Sequence, residues 1–343
     1  MPPPTGSLLQ IALVLTASCA GALGQSAATD PVGFITVNVA SGSAASPTLS
    51  LVSPTLLHAI EWQGVIQSIS GTTITVSGSP WAAGQFGTNG QYFVEIASGT
   101  SSGAWTDVES STTSTLTTLD DLSAFAAAGS TIRVRKHTKL VEFLGTTNSA
   151  GLQGGVSLAV SDEVIVYDGS NSTTYWYYDG SDNQGPAGWY DAGYQPAANV
   201  VIAPHQGVVV RRKSPAAVSF ISMGSVKTGN TFFPIRQGLN VLGTISAKGL
   251  TLATSGLYTG NAGTGVKGAT GLSAADEVTI FSGGSSTVYW YYDASDNQGP
   301  AGWYDSGYQS ADSVSITPGS SIVVNRKAPG VAFNWPVPSP ASF

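Results

Sequence analysis

The sequence predicts an all-β protein: two homologous β-sandwich or barrel-like domains plus a small β-barrel-like module, with many short antiparallel strands. Three observations predict it. Val, Thr, Ile and aromatic residues gather in short runs between Gly, Ser, Asn and Pro clusters, the pattern of strands joined by turns. Beyond the first residues, no stretch sustains the apolar period of an amphipathic helix. Finally, one 21-residue stretch occurs twice. Tyr175–Gln195 returns as Tyr289–Gln309 at an offset of 114, with 19 of 21 positions identical; Ala294 replaces Gly180 and Ser306 replaces Ala192. The flanks keep their pattern but not their letters: 160–174 against 274–288 gives 6 identities in 15, and 196–213 against 310–327 gives 8 in 18. A period this long is the length of a small domain, not of a solenoid unit.

The chain opens with a short apolar run, Leu8–Leu15, followed by small residues ending at Ala22-Leu23-Gly24. An apolar core before a small-x-small site reads as a signal peptide over 1–24, although no Lys or Arg precedes the core. Lipidation of Cys19, the sole cysteine, is the alternative. The run is too short to span a membrane as a helix, which takes about 20 apolar residues, and the mature sequence holds no later candidate. A mature chain without cysteine has neither disulfides nor thiol chemistry.

Residues 25–60 read as an N-terminal strand and linker. Ile35, Val37 and Val39 alternate with Phe34, Thr36 and Asn38, a strand with one apolar face; 40–60 is Ser/Pro-rich and less regular. Residues 61–137 form the small β module. It opens with a hairpin, Gly64–Val76, turning at Ser70-Gly71, and continues with Gln91–Ile96, Ser114–Leu119 and Ser130–Arg135. Asp120–Ala128 is the one stretch suited to a turn or two of helix. The two β repeats, 138–226 and 227–343, share one layout. Each has an Asp-Glu-Val strand (Asp162–Tyr167; Asp276–Phe281), the aromatic stretch, and a last strand ending in basic residues (Arg211-Arg212-Lys213; Arg326-Lys327) before Pro215 or Pro329. The segment 227–253 is the expected counterpart of 30–60, which would make 61–137 an insertion in the first of two homologous units.

Several of these stretches form a series: Thr29-Asp30-Pro31-Val32-Gly33-Phe34; the Gly64–Val76 hairpin; Ala83–Phe86 leading into Gln91–Ile96; Asp162-Glu163-Val164; Val209–Lys213; and Gly224-Ser225-Val226-Lys227-Thr228-Gly229. Together they resemble a family of exported, paralogous, uncharacterised β-rich proteins of Verrucomicrobia-type bacteria. The resemblance covers nearly all of the mature chain. It implies export and a β-rich fold, and no activity and no functional residues come with it.

The net charge of −7, from 13 basic and 20 acidic residues, lacks the basic face of a nucleic-acid binder. His58, His137 and His205 show no metal-ligand spacing, and Asp179–Gly185 fails the EF-hand pattern with Gln184 at the sixth position and Tyr190 at the twelfth. Neither a metal nor a cofactor is expected. The basic strand ends are expected to pair with Asp162/Glu163 and Asp276/Glu277 rather than to form an anion-binding patch. The remaining candidate is the aromatic stretch. Its flat rings could stack on sugars while polar residues bind hydroxyls, which nominates Trp176, Tyr178, Asp182, Asn183, Gln184, Trp189 and Tyr190, and in the second copy Trp290, Tyr292, Asp296, Asn297, Gln298, Trp303 and Tyr304. The competing expectation is that aromatics alternating over both strand faces pack into a core.

The expected function is therefore non-enzymatic: an exported structural or adhesive protein of the periplasm, outer surface or extracellular space. The alternatives are a glycan binder, with cell-surface or extracellular polysaccharide as partner, and a carbohydrate-active hydrolase drawing paired carboxylates from Asp179, Asp182 and Asp191. No residue is assigned a catalytic role, and nothing in the sequence speaks to oligomeric state.

Overall fold

The computed structural model describes residues 30–339 except 88, 89, 169 and 170; the expected signal peptide lies outside the described residues. In chain order come β1 (Val32–Val39) and β2 (Thr48–Val52). Six strands follow: β3 (Ile60–Ser70), β4 (Thr73–Val76), β5 (Tyr92–Ile96), β6 (Trp105–Ser111), β7 (Thr115–Thr118) and β8 (Thr131–Lys136). Then come β9 (Thr138–Lys139), α1 (Leu140–Leu144), β10 (Glu163–Asp168), β11 (Asn171–Tyr178), β12 (Gly188–Asp191), β13 (Val201–Ile202), β14 (Val208–Arg212) and β15 (Val218–Ser225). The last nine are β16 (Thr231–Ile235), β17 (Gly238–Leu242), β18 (Leu250–Thr251), β19 (Glu277–Ser282), β20 (Ser285–Tyr292), β21 (Gly302–Asp305), β22 (Ser315–Ile316), β23 (Ile322–Arg326) and β24 (Phe333–Val337).

The protein is all-β, and its sheets share a logic. One five-stranded sheet has the order β12-β11-β10-β14-β2, and the other β21-β20-β19-β23-β17, read in the matching direction. Each is accompanied by two two-stranded sheets: β1/β15 and β9/β13 beside the first, β16/β24 and β18/β22 beside the second. Strand by strand, β1 and β2 take the places of β16 and β17. Residues 40–60 are thus more regular than their composition suggests, because Thr48–Val52 completes a sheet by pairing with β14, Val52 opposite Val208. Its partner is more than a hundred residues away, and composition gives no sign of it.

Between β2 and β9 the chain closes a six-stranded barrel in the order β3-β4-β7-β6-β5-β8. Its first hairpin turns through Gly71 at φ 57°, a conformation that costs glycine nothing. Register shifts at Ile60/Trp62, Ile66/Ser68 and Val108/Ser110 supply the local bending that closure requires. Inward residues such as Ile74, Val94, Val108, Leu116 and Ile132 are fully buried, with Trp81 and Phe86 among them. Asp120–Ala128 holds a single turn, closed by Phe125 and Ala126 N–H groups on the Leu122 carbonyl. The helix lies instead at Leu140–Leu144, its first turn tied by the Lys139 N–H donating to Glu142 Oε2 at 2.7 Å.

Two further cores lie under the five-stranded sheets. Val164, Tyr175, Trp189, Val208 and Val210 pack with Leu140 and Phe143 of α1 in the first. Val278, Trp303, Ile322, Val324, Phe233 and Trp335 pack in the second, together with barrel residue Phe93. The two sheets meet through small polar residues. Ser321 Oγ donates to the Val52 carbonyl at 2.6 Å, and the Gly207 N–H to the Val241 carbonyl at 3.1 Å. A Cβ on Gly207 would lie 2.8 Å from Ser321 and 2.9 Å from Val241.

Among the described residues, the buried carboxylates and cations are paired. In the first sheet Asp162 accepts from Arg212 and from the Gln153 and Lys213 main-chain N–H groups at 2.6 and 2.7 Å. In the second, Asp276 accepts from Arg326 at 2.5 Å and from the Lys267 and Lys327 N–H groups at 2.7 and 2.8 Å. Lys213 pairs with Glu163 at 2.7 Å and Lys327 with Glu277 at 2.6 Å. The basic strand ends are therefore spent within the fold. A third cluster fastens the barrel. Glu95 of β5 meets Arg135 of β8 at 3.2 Å and Lys227 at 2.9 Å, while Arg135 also pairs with Asp30. Burial pushes the Glu95 carboxyl up, but Lys227 and then Arg135 outweigh it and hold it below the ordinary range.

Candidate functional site

The duplicated stretch is a hairpin at one end of each five-stranded sheet. Trp176 lies opposite Tyr190 and Tyr177 opposite Trp189 in the first; Trp290 lies opposite Tyr304 and Tyr291 opposite Trp303 in the second. Successive residues of a strand point to opposite faces, so the aromatics divide. Tyr175, Tyr177 and Trp189 face the core, where Trp189 Nε1 donates to the Gly145 carbonyl at 2.8 Å. Trp176 takes the other face and is also sealed, with Tyr178, Tyr190 and Tyr194 around it at centroid distances of 6.0, 6.3 and 5.3 Å. In the second copy Trp290 is surrounded by Tyr292, Tyr304 and Tyr308 at 6.1, 6.3 and 5.4 Å.

What covers this second face is a loop. The segment before β19 places Ala269, Leu272 and Ala275 against Trp290 and Tyr292. The segment before β10 runs the same way, bridging Gly155 to Tyr178 as Ala269 bridges Tyr292. Lys213 Nζ donates to the Leu158 and Ala159 carbonyls at 2.8 and 3.2 Å, which holds that loop down; Lys327 does the same with Leu272 and Ser273. Each hairpin is thus buried on both faces.

Four of the expected sugar-stacking rings are thereby corrected. Trp176, Trp189, Trp290 and Trp303 are 0, 3, 0 and 2% exposed, and a buried indole has no face to offer a ligand. Tyr178 and Tyr292 are buried too, their hydroxyls bonded to Asp182 and Asp296. Those bonds raise both tyrosine hydroxyls above their ordinary range, and Asp296 is lowered by the same contact. Tyr190 and Tyr304 are half-buried, with hydroxyls donating at 3.0 Å to the Pro186 and Pro300 carbonyls.

The polar residues lie on the surface. Asp182, Asn183 and Gln184, like Asp296, Asn297 and Gln298, are exposed in a compact loop. Asn183 and Asn297 take φ 57°, which Asn tolerates better than most residues. The Gln184 and Gln298 N–H groups donate to the tyrosine hydroxyls at 3.0 and 3.1 Å. Aspartates are committed to turns as well. Asp179 Oδ1 accepts from the Ser181 N–H at 2.9 Å; Asp191 Oδ1 accepts from Gly193 and Gln195, both at 2.8 Å. What remains open is the Asp-Asn-Gln loop and one ring per copy that sequence reasoning did not nominate. Tyr194 and Tyr308 are 57 and 61% exposed, at φ 61° and 60°. A left-handed tyrosine is held there at a cost of order 1–3 kcal/mol, and the turn around the aspartate enforces it. The sequence signal for them is their place in the duplicated aromatic stretch, each after a glycine, Gly193 or Gly307.

No family model, no curated protein and no solved structure matches this chain.

Proposed function

We propose that the chain is an exported, non-enzymatic structural or adhesive protein of the cell envelope or extracellular space. Two homologous β units, with the barrel inserted in the first, form its scaffold. The observation that carries this reading is the fate of the chemically capable residues. The indoles of both hairpins are buried, and the basic strand ends and the aspartates of the hairpin turns hold loops and turns in place. Residues 1–24 supply the export signal in this reading, in keeping with the family that the Asp30-Pro31-Val32-Gly33-Phe34 motif resembles. Fractionation of cells expressing the full chain, combined with protease shaving, tests it. Recovery beyond the inner membrane is expected, and retention of the full-length chain in the cytoplasm would overturn the reading.

A second reading keeps the hairpins as glycan contacts, through Tyr194 and Tyr308 and the adjoining Asp-Asn-Gln loops. It is favoured by the exposure of those two rings. The informative variants are Tyr194→Ala and Tyr308→Ala, because removing a buried tryptophan would test the fold instead. Polysaccharide retention that survives both substitutions removes this reading.

A further inference from the structure

Away from the hairpins, a cavity of about 400 Å³ opens where three parts of the chain converge. The barrel contributes Trp105 and Asp107 at the start of β6 and the loop carrying Asp120, Asp121 and Phe125. The first five-stranded sheet and its loops contribute Asp168, His205 and Gln206. The second sheet's companion strands contribute Phe232, Pro234 and Asn334, and the turn after β16 contributes Arg236. A volume of this size suits a small ligand.

Its floor is preorganised. Trp105 Nε1 donates to the Phe232 carbonyl at 2.9 Å, which fixes the indole, and the ring is only half-buried. His205 lies 5.4 Å from it, tilted by 35°. The His205 Nδ1 is shut in without a hydrogen-bond partner among the described residues. Burial lowers the His205 pKa to about 4, against the pull of Asp168 and Asp107 and helped by Arg236 and His137, so the ring is uncharged at neutral pH. Phe125 and Leu119, 37 and 55% exposed, add an apolar wall.

The polar rim decides the ligand class. Asp107, Asp120, Asp121 and Asp168 oppose a single Arg236, so four negative charges face one positive charge and anionic polymers are repelled. A polyamine would want acceptors alone, yet donors are interspersed. Arg236 enters none of the ion pairs among the described residues. Gln206 accepts from the Ala203 N–H through its Oε1, which leaves its amide N–H groups for a ligand, and the Asn334 side chain is exposed. Hydroxyl groups donate and accept at once; a mixed rim around fixed aromatic rings matches a polyhydroxylated ring with apolar C–H faces.

From this geometry we infer that the cleft between the barrel and the two sheets is a binding site for an uncharged saccharide. Trp105 provides the stacking surface, and Arg236, Asp168, Gln206 and Asn334 bind hydroxyls. The site is independent of the hairpins, and its test separates the two. The full chain is applied to a printed array of neutral, uronate-bearing and sulfated oligosaccharides, with spermine titrated separately by calorimetry. Retention of one or more neutral glycans is expected. Arg236→Ala and Asp168→Ala, both at exposed positions, should each cut that retention at least tenfold with the melting temperature unchanged. Tyr194→Ala and Tyr308→Ala should leave it intact. No neutral glycan retained by the wild type would overturn the inference. So would retention unaffected by both cleft variants, or preference for sulfated glycans or spermine.

Discussion

The indole Nε1 of Trp176 donates to the main-chain carbonyl of Asp191 at 3.0 Å, and Trp290 repeats the bond to Asp305 at 3.1 Å. The same two aspartates accept from the N–H groups that hold Tyr194 and Tyr308 left-handed. One buried ring therefore braces the return strand and the turn that follows it. Trp176→Ala and Trp290→Ala should each lower unfolding free energy by about 3–5 kcal/mol. The two losses should add, since the sites share no partner; urea denaturation of the single and double variants checks both points.

The buried ion pairs predict an asymmetry. Arg326→Met strands Asp276 with two backbone donors and no cation, which should cost about 3–5 kcal/mol. Replacing both members, Asp276→Leu with Arg326→Met, should recover part of that loss. A double variant less stable than Arg326→Met alone would show that the Asp276 bonds to Lys267 and Lys327 matter more than the pair. Arg212→Met should behave as Arg326→Met does.

Gly207 predicts a packing defect at the seam between the two five-stranded sheets. A side chain there has Ser321 and Val241 closer than 3 Å. Gly207→Val should destabilise by about 1–3 kcal/mol through overpacking, whereas Gly78→Ala, with open space around its Cβ and φ 75°, should cost about 1 kcal/mol from backbone strain alone. Thermal melts of both variants distinguish the causes.

Stability should fall with acid in two windows. His205 is neutral in the fold down to about pH 4 but titrates near 6.5 when unfolded. Its lowered folded pKa gives a contribution that is complete above 6.5 and lost as pH falls towards 4, at most about 3 kcal/mol. Glu95, also lowered in the fold, contributes above its ordinary 4.5 and loses that contribution as pH drops further. Denaturation midpoints measured from pH 7 to 4 should decline, and His205→Phe should flatten that decline. An unchanged slope would mean that His205 takes up its proton over the same pH range folded and unfolded.

The strand patterns and the first hairpin's turn at Ser70-Gly71 were legible in the sequence because alternation and turn residues are local. The partnership of Asp162 and Asp276 with the basic strand ends was legible because both recur at one offset. Indole burial was not: alternation puts Tyr175 and Tyr177 on one face and Trp176 and Tyr178 on the other, but only the loop secured by Lys213 closes the second face. β2 escaped notice because its partner β14 lies far along the chain. The cleft escaped for the same reason, as Trp105, His205 and Arg236 converge from three distant segments. The motif residues Asp30 and Glu95 both pair with Arg135, and Lys227 joins them through Glu95, an association that spacing could not disclose.

The position of the barrel bears on how the chain finds its fold. Val52 must meet Val208 across 156 positions, whereas the matching pair in the second sheet, Leu242 and Ile322, spans 80. Closing a loop about twice as long costs roughly 0.6 kcal/mol more chain entropy and slows the search for the partner strand. Yet Ile60 and Arg135, 75 positions apart, are themselves paired at the mouth of the barrel. A barrel that folds first removes those 75 positions from the search and leaves 81. The two sheets then close over tethers of nearly equal length, and the barrel ceases to burden the sheet whose strands it separates.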